Sequence, residues 1–150
     1  MKFMQKSASI LLTILAVKSA QALPQYNLGD KVLGGTVVYI NKSGTHGYIA
    51  ANQDQGRGVR AFKAHEYCMD FAYFNDEEQD YTDWMLPPLF VLKSMYEQRA
   101  EIGGFDSKKY YMAGGFKIDE FPGVSFAFAT NEEWHVKIFT FVNVRCVRWF

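Results

Sequence analysis

The last part of the chain, residues 143–150, alternates between two sets of positions. One set is Val144, Cys146 and Arg148, and the other set is Arg145, Val147 and Trp149. A period of two residues is typical of a β-strand, because successive side chains of a strand point to opposite faces of the sheet. The pattern therefore predicts a final strand with two different faces.

Further segments have the composition of strands. Residues 36–40 are rich in β-branched and aromatic side chains, and residues 47–51 follow a polar turn at residues 41–46, which predicts a β-hairpin. Residues 52–58 contain two glycines and predict a loop. Short strands are also predicted at residues 110–113, 124–129 and 134–141. The last of these continues into the final strand without a Gly or Asp turn, so an apolar turn and one bent strand are both open.

Two segments have the period of a helix. Within residues 59–75, the residues at helical spacing are Ala64, Tyr67, Cys68, Phe71 and Phe74. This spacing predicts a helix with Cys68 on its buried side. A second helix is predicted at residues 89–100, because two prolines precede it and Gly103 and Gly104 follow it. A hairpin, two helices and then several strands predict a single α+β domain.

The first 22 residues have the three regions of a secretory signal peptide. Two lysines give a basic start, residues 8–17 are apolar, and residues 20–22 (Ala-Gln-Ala) form a small-x-small cleavage site. The apolar run ends at Lys18, short of the roughly 20 residues that a membrane-spanning helix needs. We therefore expect cleavage after Ala22, a domain at residues 23–150, no membrane span, and a secreted or periplasmic location.

The charge balance argues against nucleic acid as a partner. The chain carries 16 basic and 16 acidic residues, and three of the basic ones precede residue 23. Residues 23–150 therefore hold 13 basic and 16 acidic residues, a net charge of −3. Such a balance gives no long-range attraction to a polyanion, although it is compatible with a local basic patch.

The chain has two cysteines, Cys68 and Cys146. In an exported protein, two cysteines favour one structural disulfide, and the alternatives are two free thiols or a catalytic cysteine. Neither residue belongs to a CxxC motif or to a metal-like cluster. In the chain-entropy model, closing a loop of this length stabilises the fold by roughly 4 kcal/mol.

Several motifs occur in the order found in a known family. They are Gly34-Gly35-x-Val37-x-Tyr39-Ile40, His46-Gly47-Tyr48-Ile49-Ala50-Ala51, Cys68, Trp84-x-Leu86-Pro87, Gly103-Gly104, Tyr110-Tyr111 and Val144-Arg-Cys-Val-Arg148. With these motifs the chain resembles the Lcl C-terminal-domain family, which is named for the terminal domain of a bacterial collagen-like adhesin. That family is related to the C-type-lectin-like and formylglycine-generating-enzyme-like folds. The resemblance implies a lectin-like mixed sheet with two helices and a disulfide from a helix to the last strand.

The sequence departs from that family around the start of the second helix. The family usually has Arg between Trp and Leu-Pro, followed by a Thr-x-x-Glu-Leu segment. Here these places hold Met85, Pro88, Val91 and Leu92. A binding role that depends on the family's polar residues therefore does not transfer to this chain.

The sequence gives little support for catalysis or for a metal site. The histidines, His46, His65 and His135, lack metal-ligand spacing such as HExxH, and no GxSxG or phosphate-binding loop is present. The acidic residues within 76–83 offer the carboxylates that Ca²⁺ prefers, but their spacing does not fit an EF-hand. A solvated acidic loop is the interpretation we favour. We expect no enzymatic activity, no metal and no cofactor.

Aromatic and basic residues together favour a glycan ligand. Sugars pack on aromatic faces, and sulfate groups bind Lys and Arg. The candidate ligand-binding residues are Lys108, Lys109, Tyr110, Tyr111, Lys93, Arg99 and Arg148. The alternative is that the tyrosines pack in the core and the basic residues are ordinary surface positions.

Three hypotheses for function follow from these patterns. The first is a secreted recognition domain that binds a glycan, sulfated or neutral, or a cell-surface protein. The second is a structural or interaction module without sugar affinity, which assembles with other chains and is compatible with a homo-oligomer. The third is an enzyme of unknown type, whose site would be assembled from residues far apart in the sequence.

Overall fold

The computed structural model describes residues 25–74, 81–115 and 123–150. These residues form the predicted α+β structure. The strands are β1 (Lys31–Val32), β2 (Gly35–Ile40), β3 (Gly47–Ala51), β4 (Gly56–Arg60), β5 (Tyr110–Met112), β6 (Gly123–Ala127), β7 (Glu132–Val136), β8 (Phe141–Val144) and β9 (Val147–Trp149). The helices are a 3-10 helix (Ala61–Lys63), α1 (Ala64–Phe74), α2 (Leu89–Glu97) and α3 (Arg99–Ile102).

The first sheet has four antiparallel strands in the order β1-β2-β3-β9. Its centre is the predicted hairpin, in which Val37 of β2 pairs with Ile49 of β3. Gly35 is required at the start of β2, because a Cβ atom there would lie 2.2 Å from the carbonyl oxygen of Ala50. The hairpin prediction is therefore confirmed.

The second sheet has five strands in the order β4-β8-β5-β6-β7. β5 and β8 run parallel where Tyr111 pairs with Asn143, and the other neighbours are antiparallel. Residues 145–146 carry the chain from β8 in this sheet to β9 in the first sheet. The prediction of one continuous final strand is therefore wrong. The strand breaks at Arg145, whose side chain is fully buried.

Helix α2 packs between the sheets through apolar and polar contacts. Val91 and Leu92 are fully buried in a hydrophobic cluster that also contains residues of β2, β3, β5, β6 and β9. Ser94 Oγ and Gln98 Nε2 both donate hydrogen bonds to the carbonyl oxygen of Val38, at 2.6 and 2.7 Å. These contacts fix α2 on the hairpin.

Helix α1 packs in a second cluster and is covalently tied to the end of the chain. Cys68 and Cys146 form the predicted disulfide, with their Cα atoms 5.6 Å apart. Ala64 and Cys68 are buried beside Val142 and Val144 of β8. The prediction of a buried Cys68 and of this disulfide is confirmed.

Strand β4 was not predicted, because its first residues fall within the predicted loop at residues 52–58. It begins at Gly56, and Val59 pairs with Val142 of β8. The first helix therefore starts at Ala64 rather than near residue 59. The glycines of this strand have low strand propensity, so its pairing with β8 determines the structure.

The prediction of one strand at residues 134–141 is also wrong. The chain turns at residues 137–140, where the amide of Thr140 donates to the carbonyl oxygen of Lys137 at 2.9 Å. Strand β7 before the turn pairs with β6, and β8 after it pairs with β4 and β5. The turn contains no glycine, which is why the sequence pattern did not indicate it. It separates two strands that pair with different neighbours.

Smaller differences concern the other segments. A short strand, β1, precedes the hairpin, and the second helix ends at Glu97, before the separate turn of α3, rather than at residue 100. The predicted signal peptide at residues 1–22 lies outside the described residues. Within residues 25–74, 81–115 and 123–150, no helix is both long and apolar enough to cross a membrane.

Candidate ligand-binding site

A cleft of about 410 Å³ opens between α1 and the segment that precedes α2. One wall includes Phe62, His65 and Met69, and the opposite wall includes Met85 and Leu86. The lining is completed by Ala61, Cys68, Trp84, Gly114 and Gly115. This volume falls in the range of small-ligand sites, roughly 300–1,000 Å³. Because most of the lining side chains are apolar, the cleft suits an apolar group.

Backbone pairing fixes the wall that contains Met85. Met85 and Val147 of β9 exchange two hydrogen bonds between their amide and carbonyl groups, each 2.8 Å long. Neighbouring side chains of an extended segment point in opposite directions. Trp84 is accordingly 4% exposed and packs on Phe71 of α1, whereas Met85 is 37% exposed. Trp84 therefore anchors the segment, and Met85 is available to a ligand.

Two consecutive residues hold the two walls of the cleft together. Cys146 is bonded to Cys68 of α1, and Val147 is paired with Met85. The distance between the walls is therefore set by a disulfide on one side and by a backbone bridge on the other.

Gly114 brings the end of β5 against the Met85 wall. Its amide donates to the carbonyl oxygen of Pro87 at 2.8 Å. A Cβ atom on Gly114 would lie 2.9 Å from both the Cβ and the carbonyl oxygen of Leu86. Only a glycine permits this approach, so Gly114 helps to set the shape of the cleft.

A buried ion pair lies at the corner where β8 passes into β9. Arg145 Nη2 lies 2.7 Å from Asp54 Oδ1, and neither side chain has exposed surface. The guanidinium also donates to the carbonyl oxygens of Ala51, Gly103 and Gly104, at 3.1, 3.3 and 2.9 Å. A buried charge requires such compensation, because burial removes its hydration.

Tyr111 and Asn143 complete the hydrogen bonding of Asp54. The Tyr111 hydroxyl donates to Asp54 Oδ2 at 3.1 Å and accepts from the amide of Asp106 at 2.8 Å. Asn143 Nδ2 donates to Asp54 Oδ2 at 3.5 Å, and Asn143 Oδ1 accepts from the amide of Gly58 at 3.0 Å. Burial raises the pKa of Tyr111 to about 12, so its hydroxyl keeps its proton at neutral pH. The buried polar groups of Asp54, Tyr111 and Asn143 are therefore hydrogen-bonded to one another, and these bonds join the loop after β3 to β5 and β8.

The structure separates the seven residues that the sequence suggested for glycan binding. Tyr111 is fully buried, so its ring offers no face to a ligand. Tyr110 points to the other side of β5, where its ring centroid lies 5.7 Å from that of the exposed Trp134. Lys108 and Lys109 are exposed in the turn before β5.

The helix residues of that set belong to another face. Lys93 of α2 forms an ion pair with Glu133 of β7. Because Glu133 and Trp134 are neighbours in one strand, their side chains lie on opposite faces of the sheet. Arg99 donates to the carbonyl oxygen of Tyr96 at 2.7 Å and stacks 4.0 Å above its ring. Lys93 and Tyr110 therefore do not share a face.

Arg148 lies in the other sheet and is already paired. Its Nε donates to Asp83 Oδ1 at 2.8 Å, and its guanidinium lies 3.5 Å above the ring of Tyr81. These contacts hold the segment before α2 against β9. The structure thus gives Arg148 a positioning role, in a different sheet from the strand that follows Lys108 and Lys109.

No group of three or more His, Cys, Asp or Glu side chains that could hold a metal ion occurs in the described part of the chain. His46 lies in the hairpin turn, His65 in α1 and His135 in β7. Most of the predicted acidic loop, namely Asp76, Glu77, Glu78 and Asp80, lies outside the described residues.

The sequence pattern alone did not reveal the cleft or the buried ion pair. In the sequence, Met69 and Met85 are ordinary apolar positions, and only the fold brings α1 and the segment before α2 together. Asp54 falls in a polar loop, 91 residues before Arg145. One signal was available, because Arg145 interrupts an apolar strand, and a charge in such a place predicts a buried partner.

Comparison of the sequence with models of known protein families gives no match, and comparison with curated proteins gives none either. The resemblance to the Lcl C-terminal-domain family therefore stays a prediction. Its motif residues nevertheless have defined places in the fold. Trp84 anchors one wall of the cleft, Cys146 forms the disulfide, and Gly47 allows the ring of Phe150 to approach to 2.5 Å from the position of a Cβ atom.

Proposed function

We propose that this chain is an exported, non-catalytic recognition domain of the C-type-lectin-like class, which binds an apolar segment of a partner protein in the cleft between α1 and Met85. The observation that carries the proposal is the apolar lining of this cleft. Export and the lectin-like class rest on the sequence of residues 1–22 and on the resemblance to the Lcl C-terminal-domain family. The disulfide is compatible with an extracellular location.

The chemistry of the walls favours a protein segment over a sugar at this place. A sugar requires several polar groups that converge on its hydroxyls, whereas His65 is the only one of the described lining residues whose side chain is both polar and exposed. Methionine side chains are flexible and polarizable, so Met69 and Met85 can adjust to different apolar side chains. Burying one such apolar side chain contributes roughly 1.5–3 kcal/mol.

Selection of random peptides displayed on phage tests this proposal. Peptides enriched on the purified protein are expected to contain apolar residues and to bind about tenfold or more weakly to the Met69→Arg and Met85→Arg variants. Leu28→Arg is the matched control, because Leu28 is an exposed apolar residue that does not line the cleft. A failure to enrich peptides, or equal binding to the cleft variants and the wild type, would contradict the proposal.

Glycan binding is the second candidate function, and it would use another surface. Tyr110 and the exposed Trp134 stand in contact on one face of the five-stranded sheet. Lys108 and Lys109 precede them and form no ion pair among the described residues. The pair of Tyr110 and Trp134 rings, with two lysines in the turn directly before Tyr110, fits a sulfated sugar.

A panel of neutral and sulfated glycans distinguishes the two candidates. Glycan binding predicts a signal for sulfated sugars that weakens as salt rises and disappears in the double variant Lys108→Ala, Lys109→Ala. Trp134→Ala should weaken the binding of neutral and sulfated sugars alike, because it removes the exposed aromatic ring. The control is Lys42→Ala, an exposed lysine in the hairpin turn. Absence of binding at low salt rejects this second function and leaves the cleft proposal unaffected.

A further inference from the structure

The connection between β7 and β8 exposes an unusual amount of apolar surface. We call Phe62, Ile138, Phe139 and Phe141 the aromatic tip. Phe139 is 63% exposed and Phe141 is 57% exposed, the highest values among the large apolar side chains of the described residues. Exposed apolar groups that cluster in this way mark an interaction surface more often than scattered ones do.

Hydrogen bonds hold the aromatic tip against the 3-10 helix. The amides of Ala61 and Phe62 donate to the carbonyl oxygens of Thr140 and Ile138, at 2.9 and 3.3 Å. The rings of Phe62 and Phe139 meet edge to face, with their centroids 6.0 Å apart. The apolar groups are therefore presented from a fixed backbone, which reduces the entropy lost on binding.

The segments that form the aromatic tip contain basic residues, two of which have no acidic partner among the described residues. Residues 56–65 and 136–142 contain four basic residues and no Asp or Glu. The basic residues are Arg57, Arg60, Lys63 and Lys137. Arg57 and Lys63 form ion pairs with Asp54 and Glu66, whereas Arg60 and Lys137 form none with described residues.

Arg60 combines both properties of this surface. Its guanidinium lies 4.0 Å above the ring of Phe141, and its Nη1 donates to the carbonyl oxygen of Phe139 at 2.7 Å. A cation is thereby fixed next to two exposed rings. A membrane interface offers anionic headgroups and, a few ångströms deeper, acyl chains, which are the complements of these two groups.

We propose that the aromatic tip binds the surface of an anionic lipid membrane, with Phe139 and Phe141 at the level of the headgroups and with Arg60 and Lys137 contacting lipid phosphates. Charge complementarity selects the membrane as the occupant. Ile138 and Phe139 lie in the turn between β7 and β8, and Phe141 begins β8, so these exposed side chains can enter a lipid surface without a groove around them. Phe62 also lines the cleft, but neither Phe139 nor Phe141 does, so variants of these two residues test the aromatic tip without changing the lining of the cleft.

Sedimentation with lipid vesicles tests the inference. The purified protein is mixed with vesicles of phosphatidylcholine alone and with vesicles that also contain phosphatidylglycerol. We expect on the order of tenfold stronger binding to the anionic vesicles at low salt, and a loss of this preference at high salt. Wild-type protein that remains in the supernatant with anionic vesicles at low salt would overturn the inference.

Variants separate the apolar contribution to vesicle binding from the charged one. Phe139→Ser with Phe141→Ser should lower binding to both kinds of vesicle by about tenfold or more, because each exposed ring is lost. Arg60→Gln with Lys137→Gln should remove the preference for anionic vesicles. Leu28→Ser and Lys42→Gln are the matched controls, and circular dichroism checks that each variant is folded.

One further outcome would assign the aromatic tip to another role. If Phe139→Ser with Phe141→Ser converts a dimer into a monomer in gel filtration while vesicle binding is unchanged, the aromatic tip is a contact between copies of the chain, and the membrane inference is wrong. Cleft-dependent peptide binding should be retained by these variants, so the two proposals can fail separately.

Discussion

Arg145 and Asp54 form an ion pair that solvent does not reach. Arg145 Nε and Nη2 lie 2.8 and 2.7 Å from Asp54 Oδ1, and both side chains are fully buried. Through its other hydrogen bonds, Arg145 also holds Gly103 and Gly104, which follow α3. One side chain therefore joins the loop after β3, the end of the helical region and the corner between the two sheets.

Breaking this ion pair should strongly destabilise the fold. We expect Asp54→Asn and Arg145→Met each to lower the free energy of unfolding by about 3–5 kcal/mol, because each leaves the partner charge buried and uncompensated. Urea denaturation measures this difference. Arg57→Ala is the control, since the Arg57 side chain is 69% exposed and contributes about 1 kcal/mol or less. Equal losses for Asp54→Asn and Arg57→Ala would contradict the importance of the buried pair.

The pH dependence of stability should report the buried hydroxyl of Tyr111. Burial raises the pKa of this group from 10 to about 12. The folded protein therefore holds the proton more tightly than the unfolded chain does. The resulting stabilisation, roughly 3 kcal/mol, is fully present below pH 10 and is lost as the pH rises from about 10 to about 12.

Tyr111→Phe isolates this effect from the other titrating groups. At neutral pH the variant should be less stable by about 1–3 kcal/mol, because the amide of Asp106 and the carboxylate of Asp54 lose a partner. Above pH 10 the difference between wild type and variant should shrink. Thermal unfolding followed by circular dichroism measures both curves, and a constant difference from pH 8 to pH 12 would show that Tyr111 does not titrate as inferred.

Elements formed by local patterns were predictable from the sequence, whereas long-range pairings were not. The hairpin of β2 and β3 follows from two strand-like segments and one turn, and Cys68 and Cys146 had only each other as partners. The sequence pattern did not predict strand β4 or the turn at residues 137–140, because both depend on strand pairing with β8. The cleft was not predictable, since its walls meet only after Val147 pairs with Met85.

The residues that the sequence suggested for glycan binding show the same limit of sequence-based prediction. Tyr110 and Tyr111 are neighbours in the sequence, yet a strand places them on opposite faces. The ring of Tyr110 therefore packs beside the exposed Trp134, whereas Tyr111 is buried and its hydroxyl is hydrogen-bonded to Asp54. Sequence proximity suggested one site, and the geometry of the strand divided it.

Reduction of the disulfide should lower stability by roughly 4 kcal/mol, because Cys68 and Cys146 are 78 residues apart and their bond limits the unfolded chain. Urea denaturation with and without dithiothreitol measures the loss. The double variant Cys68→Ala, Cys146→Ala should show the same loss without dithiothreitol and no response to it. If reductant destabilised the double variant as well, the effect would have to come from something other than this bond.

Gly114→Ala should damage the cleft more than a glycine substitution elsewhere. The added Cβ atom would lie 2.9 Å from two atoms of Leu86, including its carbonyl oxygen, so the Met85 wall must move. We expect a loss of about 1–3 kcal/mol in stability, as for other overpacked sites. Peptides selected on the wild-type cleft should also bind the folded variant more weakly, since the wall they contact has shifted.

Gly44→Ala is the matched control for this substitution. Nothing lies within 4 Å of the position where its Cβ atom would be, but its φ of +73° adds a backbone cost of roughly 1–2 kcal/mol. Stability is therefore expected to fall in both variants, and peptide binding only in Gly114→Ala. Isothermal titration with a selected peptide measures this difference. Unchanged affinity in Gly114→Ala would mean that the contact between Gly114 and Leu86 does not control the shape of the cleft.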